Sequence, residues 1–190
     1  EEDLIFGDAG NDAIRGQRHA DTMYGGDGDD NIKGGGGADL QFGEAGHDFI
    51  KSGTKRDYAE GGDGNDTISG NRHEDTLLGN AGDDKIKGGG HDDLLIGGTG
   101  NDFLKGGAGA DVFVFTRGDG QDRIADFDPA EDMIRLDVSL TGGLTEGDAI
   151  VEQFASVTRR GVVLDFGEDD TIFLSRVSGL AGLSDAIEMS

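Results

Sequence analysis

The sequence predicts an all-β fold: a parallel coil in which two nine-residue half-turns complete each circuit, closed by a C-terminal β cap. Three observations carry this. Twelve consecutive nine-residue repeats run without a gap over the 108 residues from Gly7 to Val114. The sixth position is Asp in all twelve, at Asp12, Asp21, Asp30, Asp39, Asp48, Asp57, Asp66, Asp75, Asp84, Asp93, Asp102 and Asp111. The eighth position is apolar with one exception, reading Ile14, Met23, Ile32, Gln41, Ile50, Ala59, Ile68, Leu77, Ile86, Leu95, Leu104 and Phe113.

The repeat from Gly61, GGDGNDTIS, displays the pattern Gly-Gly-x-Gly-x-Asp-x-apolar-x. Glycine at positions 1, 2 and 4 admits backbone conformations that a Cβ forbids, so a six-residue loop can turn sharply with its carbonyls inward. The last three residues form a short strand with the eighth position facing in and its neighbours facing out. Such a strand cannot bury its apolar residue alone, so the units stack, with a loop and a strand on each side of the coil. The sequence supports a two-sided coil. Odd repeats, from Gly7, Gly25, Gly43, Gly61, Gly79 and Gly97, keep glycine at position 4 and a large aliphatic at position 8, whereas even repeats place His19, Lys55, His73 and His91 at position 4.

A loop of inward carbonyls ending in a carboxylate is a set of oxygen ligands. Calcium takes about six to eight oxygens, more than one short loop supplies, so two loops must share each ion. The nonapeptide resembles the RTX, or haemolysin-type, calcium-binding repeat, and the resemblance covers residues 3 to about 137. It implies a right-handed parallel β-roll, placed at residues 1–126, with a capping β-meander and secretion-signal region at 127–190.

Carried over from the family, carbonyls at alternating loop positions come from one loop, and the aspartate with further carbonyls comes from the loop one turn away. On the odd side the carbonyls are those of Gly7, Ala9 and Asn11; Gly25, Asp27 and Asp29; Gly43, Ala45 and His47; Gly61, Asp63 and Asn65; Gly79, Ala81 and Asp83; and Gly97, Thr99 and Asn101. The carboxylates are Asp30, Asp48, Asp66, Asp84 and Asp102, with Asp12 at the end of the stack. Six stacked loops make five shared sites, hence at least five calcium ions. Asp21, Asp39, Asp75, Asp93 and Asp111 are the corresponding even-side ligands, and Asp122, with Asp126 and Asp128, is expected to complete a terminal site.

The even loops carry cationic pairs, Arg18 with His19, Lys55 with Arg56 and Arg72 with His73. These are either built-in counter-ions that displace calcium or side chains that point to solvent. His73 and His91 stand one turn apart, which admits a transition-metal pair. Outward position 9 of the odd repeats reads Arg15, Lys33, Lys51, Ser69, Lys87 and Lys105. This basic ladder either balances charge on a solvated strand or contacts an anionic polysaccharide. On the even side Tyr24, Leu40, Phe42, Tyr58, Leu78, Leu94, Ile96, Val112 and Val114 face outward, an apolar surface that residues 140–190 or another chain or domain should cover.

After Val114 the phase slips. A strand through Ile124, a turn at Pro129, the only proline, and a strand from Met133 look like the segment that closes the roll in secreted RTX proteases. IVEQFASVT, VVLDF and TIFLS read as an antiparallel meander. LAGLSDAIEM has Leu180, Leu183 and Ile187 at helical spacing, and the family's C-terminus implies an uncleaved type I secretion signal.

Against 16 Lys and Arg stand 40 Asp and Glu, a net charge of −24. That argues against nucleic acid and anionic membrane as partners and for cations. With 37 glycines and 34% apolar residues, the metal-free chain is expected to be disordered and the calcium-loaded chain folded. Absence of cysteine fits a reducing cytosol and also a secreted chain stapled by metal, and the second is the favoured reading. No run reaches transmembrane length. Asp3 to Phe6 match the last four positions of another repeat, so the chain reads as part of something longer. No HExxH, GxSxG, P-loop or cysteine nucleophile is present, so it reads as a non-catalytic module whose parent is a hydrolase, protease, lipase or epimerase. The leading expectation is a calcium-dependent folding and secretion module of an extracellular protein exported by the type I route of a Gram-negative bacterium. Its partners are calcium and an N-terminal catalytic or adhesive domain of the same parent. The alternatives are an acidic-polysaccharide-binding module acting through the basic ladder, or a structural spacer of an adhesin or toxin.

Overall fold

A computed structural model describes all residues, Glu1–Ser190. Its elements are β1 (Leu4–Phe6), β2 (Ala13–Arg18), β3 (Thr22–Asp27), β4 (Asn31–Gly36), β5 (Leu40–Ala45), β6 (Phe49–Thr54), β7 (Tyr58–Asp63), β8 (Thr67–Arg72), β9 (Thr76–Ala81), β10 (Lys85–Gly90), β11 (Leu94–Thr99), β12 (Phe103–Ala108), β13 (Val112–Phe115), β14 (Gln121–Ile124), β15 (Met133–Leu136), α1 (Gly147–Phe154), β16 (Ala155–Val157), β17 (Gly161–Gly167), β18 (Asp170–Ser175) and β19 (Ile187–Met189). Odd-numbered strands from β1 to β15, with β19, make one nine-stranded sheet, and even-numbered strands from β2 to β14, with β16 to β18, make a ten-stranded second. Through β13 the chain thus alternates between two parallel sheets, and partners within a sheet lie eighteen residues apart, as in Ile14↔Ile32 and Leu95↔Leu77. This is the parallel roll that the repeat predicts.

The strands are longer than the three residues expected. From β2 to β12 they run six residues, through positions 7–9 of one repeat and 1–3 of the next. Both position 8 and position 1 therefore face inward, and the burial pattern of β3 and β4 alternates accordingly. The glycines divide by role. At position 2 the backbone is left-handed whatever the residue, with φ 107° at Gly26 and 75° at Glu44, whereas position 1 is absent from the positive-φ residues and is glycine for space alone in every repeat but the sixth. The apolar core follows position 8, with Met23, Ile32, Ile50, Leu77, Ile86, Leu95, Leu104 and Phe113 fully buried.

Residues after Ile124 extend both sheets. β18 adds to β14 in parallel, and β19 adds to β15. β17 and β18 form the expected antiparallel hairpin, turning through Glu168 and Asp169 at φ 53° and 73°. Two expectations fail. IVEQFASVT is not one strand: its first half lies in α1, which buries Ile150 and Val151 and sets Phe154 against Phe166 at 4.9 Å. LAGLSDAIEM forms turns and β19, not a helix.

Nor does the cap cover the apolar outer face. Residues 140–190 close one end of the roll by hydrogen-bonding to the last strands, which pairs edges that would otherwise invite association with another chain. Phe6, Tyr24, Phe42 and Tyr58 instead shield one another in a ladder with ring centroids 5.1, 4.9 and 5.7 Å apart. No helix is long and apolar enough to cross a membrane.

Candidate calcium sites along the two rows of turns

Turns at the odd loops form a row on one side of the roll, and turns at the even loops form a row on the other. In each row the position-6 aspartates bond head to tail. The main-chain N–H of Asp12 donates to Oδ1 of Asp30 at 2.7 Å, that of Asp30 to Asp48 at 2.8 Å and that of Asp48 to Asp66 at 2.8 Å. Asp66, Asp84 and Asp102 continue the odd row to Asp84, Asp102 and Asp122. The even row runs from Asp3 through Asp21, Asp39, Asp57, Asp75, Asp93 and Asp111 in the same way.

One carboxylate oxygen is thereby satisfied and the other is not. Oδ2 of Asp21, Asp30, Asp39, Asp48, Asp57, Asp66, Asp75, Asp84, Asp93 and Asp102 is buried without a hydrogen-bond partner. Each of the glycines at position 1 faces this oxygen. A Cβ on Gly25 would run into Asp30 Oδ2 and lie 2.6 Å from the carbonyl oxygen of Gly43, one coil on. Gly7, Gly43, Gly61, Gly79 and Gly97 stand in the same relation to Asp12, Asp48, Asp66, Asp84 and Asp102. The cradle is a carboxylate oxygen, a main-chain carbonyl and room that only glycine leaves. An unpaired buried carboxylate is costly, and hard oxygen donors of this kind suit calcium. No group of three or more His, Cys, Asp or Glu side chains converges, so a cation here must draw on carbonyls.

Of the carbonyls carried over from the family, those at position 1 point into the cradles. Those at position 3 are engaged in the ladder: Asp27, Ala45, Asp63, Ala81 and Thr99 each accept an N–H from the preceding coil at 2.7–2.8 Å, while Ala9 bridges Asp27. Position 5 forms a surface chain in which Asn11, Asp29, His47, Asn65 and Asp83 side chains accept the N–H of the next position 5, ending at Asn101.

Burial pushes these carboxyls up, with like charges one coil away adding to it. Asp75 and Asp122 rise from 3.8 to about 8, Asp57, Asp84, Asp93 and Asp111 to about 7, and Asp48 and Asp102 to about 6. Asp39 and Asp66 move in the same direction.

The even-side cations do not act as counter-ions. Arg56 pairs with Glu74 at the surface, and Asp57 and Asp75 keep an unpartnered Oδ2 as the odd-side residues do. The main-chain N–H of Lys55 donates to Nδ1 of His73 at 3.2 Å. The His73 and His91 rings stack parallel with centroids 5.2 Å apart, and their Nδ1 atoms face different partners, the Lys55 N–H and the Gly90 carbonyl.

The terminal aspartates separate. Asp122 ends the odd row, whereas Asp126 accepts from the Gly106 N–H at 3.1 Å on the even side and Asp128 accepts from the Ala130 N–H at 3.0 Å in a local turn. Asp132, which the repeat did not indicate, takes the next place in the even row by accepting from the Asp111 N–H at 3.1 Å. Asp170, from the cap, accepts the Gly118 and Gly120 N–H groups beside Asp119 and Asp122.

A family profile described as RTX calcium-binding nonapeptide repeat (4 copies) matches residues 2–18, 15–50, 42–77, 51–86, 70–104 and 87–124. No curated protein matches the chain. Among solved structures, extracellular lipase LipA from Serratia marcescens is similar at a TM-score of 0.56 and 19% identity, over 90% of this chain and 38% of that one. The chain therefore spans well under half the length of that lipase. The AlgE6R3 subunit of the Azotobacter vinelandii mannuronan C5-epimerase aligns at 24% identity over 90% of this chain and 78% of that one, with a TM-score of 0.26.

Proposed function

Because the chain belongs to the RTX calcium-binding nonapeptide repeat family, we propose that it is a module that folds on binding several calcium ions outside the cell and so supports export and stability of a larger extracellular protein. The observation that carries this reading is the two rows of buried aspartate Oδ2 atoms without a partner, each facing a position-1 residue, glycine in every coil but one. Such a roll is held apart by its own charge until cations enter, so binding free energy becomes folding free energy. Where calcium is scarce the chain is extended and fit for a narrow export channel, and where calcium is abundant it closes. The position-6 aspartates and position-1 carbonyls are the ligands, at least five ions occupy the odd row, and the module itself is non-catalytic. The parent is a secreted enzyme, adhesin or toxin of a Gram-negative bacterium using type I export. Far-ultraviolet circular dichroism tests the reading. The spectrum should pass from disordered to β-rich over roughly 0.1–1 mM calcium, and a β-rich spectrum in excess chelator at pH 7.5 overturns it.

A second reading has one observation in its favour. Arg15, Lys33, Lys51, Ser69, Lys87 and Lys105 are successive register partners on the outer face of the second sheet, a cationic row suited to an anionic polysaccharide. Retention on immobilised alginate, lost when Lys33, Lys51, Lys87 and Lys105 become Glu, supports it; no retention by the calcium-loaded chain removes it.

A further inference from the structure

Ser52 stands at position 1 of the sixth repeat, where the other eleven repeats carry glycine. Its main chain keeps the common role, with its carbonyl oxygen 2.5 Å from where a Cβ on Gly34 would lie, beside Asp39 Oδ2. Its side chain departs from it. In the flanking cradles a Cβ on Gly34 or Gly70 would crowd Oδ2 of Asp39 or Asp75 and lie 2.5 or 2.9 Å from the carbonyl of Ser52 or Gly88. Ser52, at the equivalent position of its own repeat, carries a Cβ where those residues have none; its side chain is fully buried and its Oγ has no partner.

Two further buried oxygens from this part of the chain have no partner. Asp57, the aspartate of the same repeat, has its buried Oδ2, and Gln41 has a fully buried Oε1. Gln41 occupies position 8, which is apolar in every other repeat, and its Nε2 reaches to 3.5 Å from the carbonyl of Lys51, the neighbour of Ser52. Its side chain therefore crosses the interior between the sheets. Ala59, its register partner in the next coil, is the smallest position-8 residue and leaves room. Gln41 and Ala59 are thus neighbours in adjacent coils of one sheet, and Ser52 lies in the other sheet next to the Lys51 carbonyl that Gln41 approaches.

Calcium and water make different demands here. Calcium needs the position-1 space clear, since its ligands are the oxygens that bound that space, and a Cβ fills it. A buried water needs two to four polar partners and little volume, about that of one probe sphere. Beside Asp57, such a water would donate to Oδ2 and accept from the Ser52 hydroxyl, the two unpartnered groups of this repeat.

We propose that the Ser52–Asp57 cradle takes a single water molecule in place of calcium. The even row is then divided into one calcium-binding segment at Asp21 and Asp39 and another at Asp75, Asp93 and Asp111, while the odd row is continuous. This rests on the calcium reading above. The break is steric, not electrostatic, and so is reversed by removing one side chain.

The test counts calcium ions per folded chain, by equilibrium dialysis and native mass spectrometry, in the unaltered chain, Ser52→Gly and Ser52→Ala. Ser52→Gly should bind one more ion, and Ser52→Ala, which keeps the Cβ, should bind the same number as the unaltered chain. An unchanged or lower count in Ser52→Gly, or a gain in Ser52→Ala, overturns the inference and leaves the calcium function standing. No calcium in any of the three removes the calcium function and the inference with it. Asp57→Asn and Asp75→Asn give a second count in the Ser52 background, in which the first should leave the number unchanged and the second lower it by one; equal losses contradict the proposal.

Discussion

The main-chain N–H of Asp66 donates to Oδ1 of Asp84, one coil on, at 2.7 Å. Only one oxygen of Asp84 is used in this way, and the other is left buried beside Gly79. A contact that orders the coils thus also aims a carboxylate oxygen at a cradle. Packing and cation binding are two uses of one side chain.

Asp66→Asn keeps the size and the turn preference but removes an anionic oxygen. It should raise the calcium concentration at the folding midpoint several-fold, because each ion ties two coils together and the loss spreads to neighbouring turns. Asp57→Asn should leave the midpoint nearly unchanged, since the Ser52 cradle holds no ion. Titrations followed by circular dichroism decide between this and equal shifts.

Gly79→Ala places a methyl against both Asp84 Oδ2 and the carbonyl oxygen of Gly97, a clash relieved only by moving the coils apart. It should raise the calcium midpoint by roughly tenfold or more, or abolish folding, because a spoiled cradle withdraws binding free energy from folding. Gly10 offers a control, because nothing lies within 4 Å of where its methyl would stand and only its φ of 114° opposes the change. Gly10→Ala should cost on the order of 1–2 kcal/mol without altering the number of ions, measured by dialysis and chemical denaturation in saturating calcium.

The metal-free roll should be sensitive to acid in the stabilising direction. Asp75 rises from 3.8 to about 8 and Asp84 to about 7, so the folded state holds protons that the unfolded state releases. Stability of the metal-free fold is therefore greatest below pH 4 and falls as pH rises toward 8. In excess chelator, structure gained on going from pH 8 to pH 5 is the expected result. Protons and calcium occupy the same oxygens, so protons supply part of the stabilisation that calcium gives, and the calcium concentration at the folding midpoint should be lower at pH 5.5 than at pH 8. Circular dichroism at the two pH values checks both statements.

Much of this was legible in the sequence, for a physical reason. A nine-residue period held through twelve repeats allows one backbone path, and the alternation of odd and even loops follows from it. Strand length was not legible, because position 2 adopts a left-handed φ within a strand that still pairs, as at Gln17 with φ 78°. The pairing of Arg56 with Glu74 depends on a neighbour eighteen residues away. Asp132 follows Asp111 at a spacing of 21, and Asp170 reaches the turn at Gly118 from 52 residues away, so neither falls in the repeat. In α1, the close sequence of Ile150, Val151 and Phe154 mimics strand alternation. At Ser52 the sequence displayed the substitution, and only the cradle gave it meaning.

An anomalous difference map from crystals grown in calcium tests the central claim most directly. Peaks are expected beside Oδ2 of Asp30, Asp48, Asp66, Asp84 and Asp102 on the odd side and beside Asp21, Asp39, Asp75, Asp93 and Asp111 on the even side, with none at Asp57. A folded roll with no anomalous density in either row of cradles would contradict it.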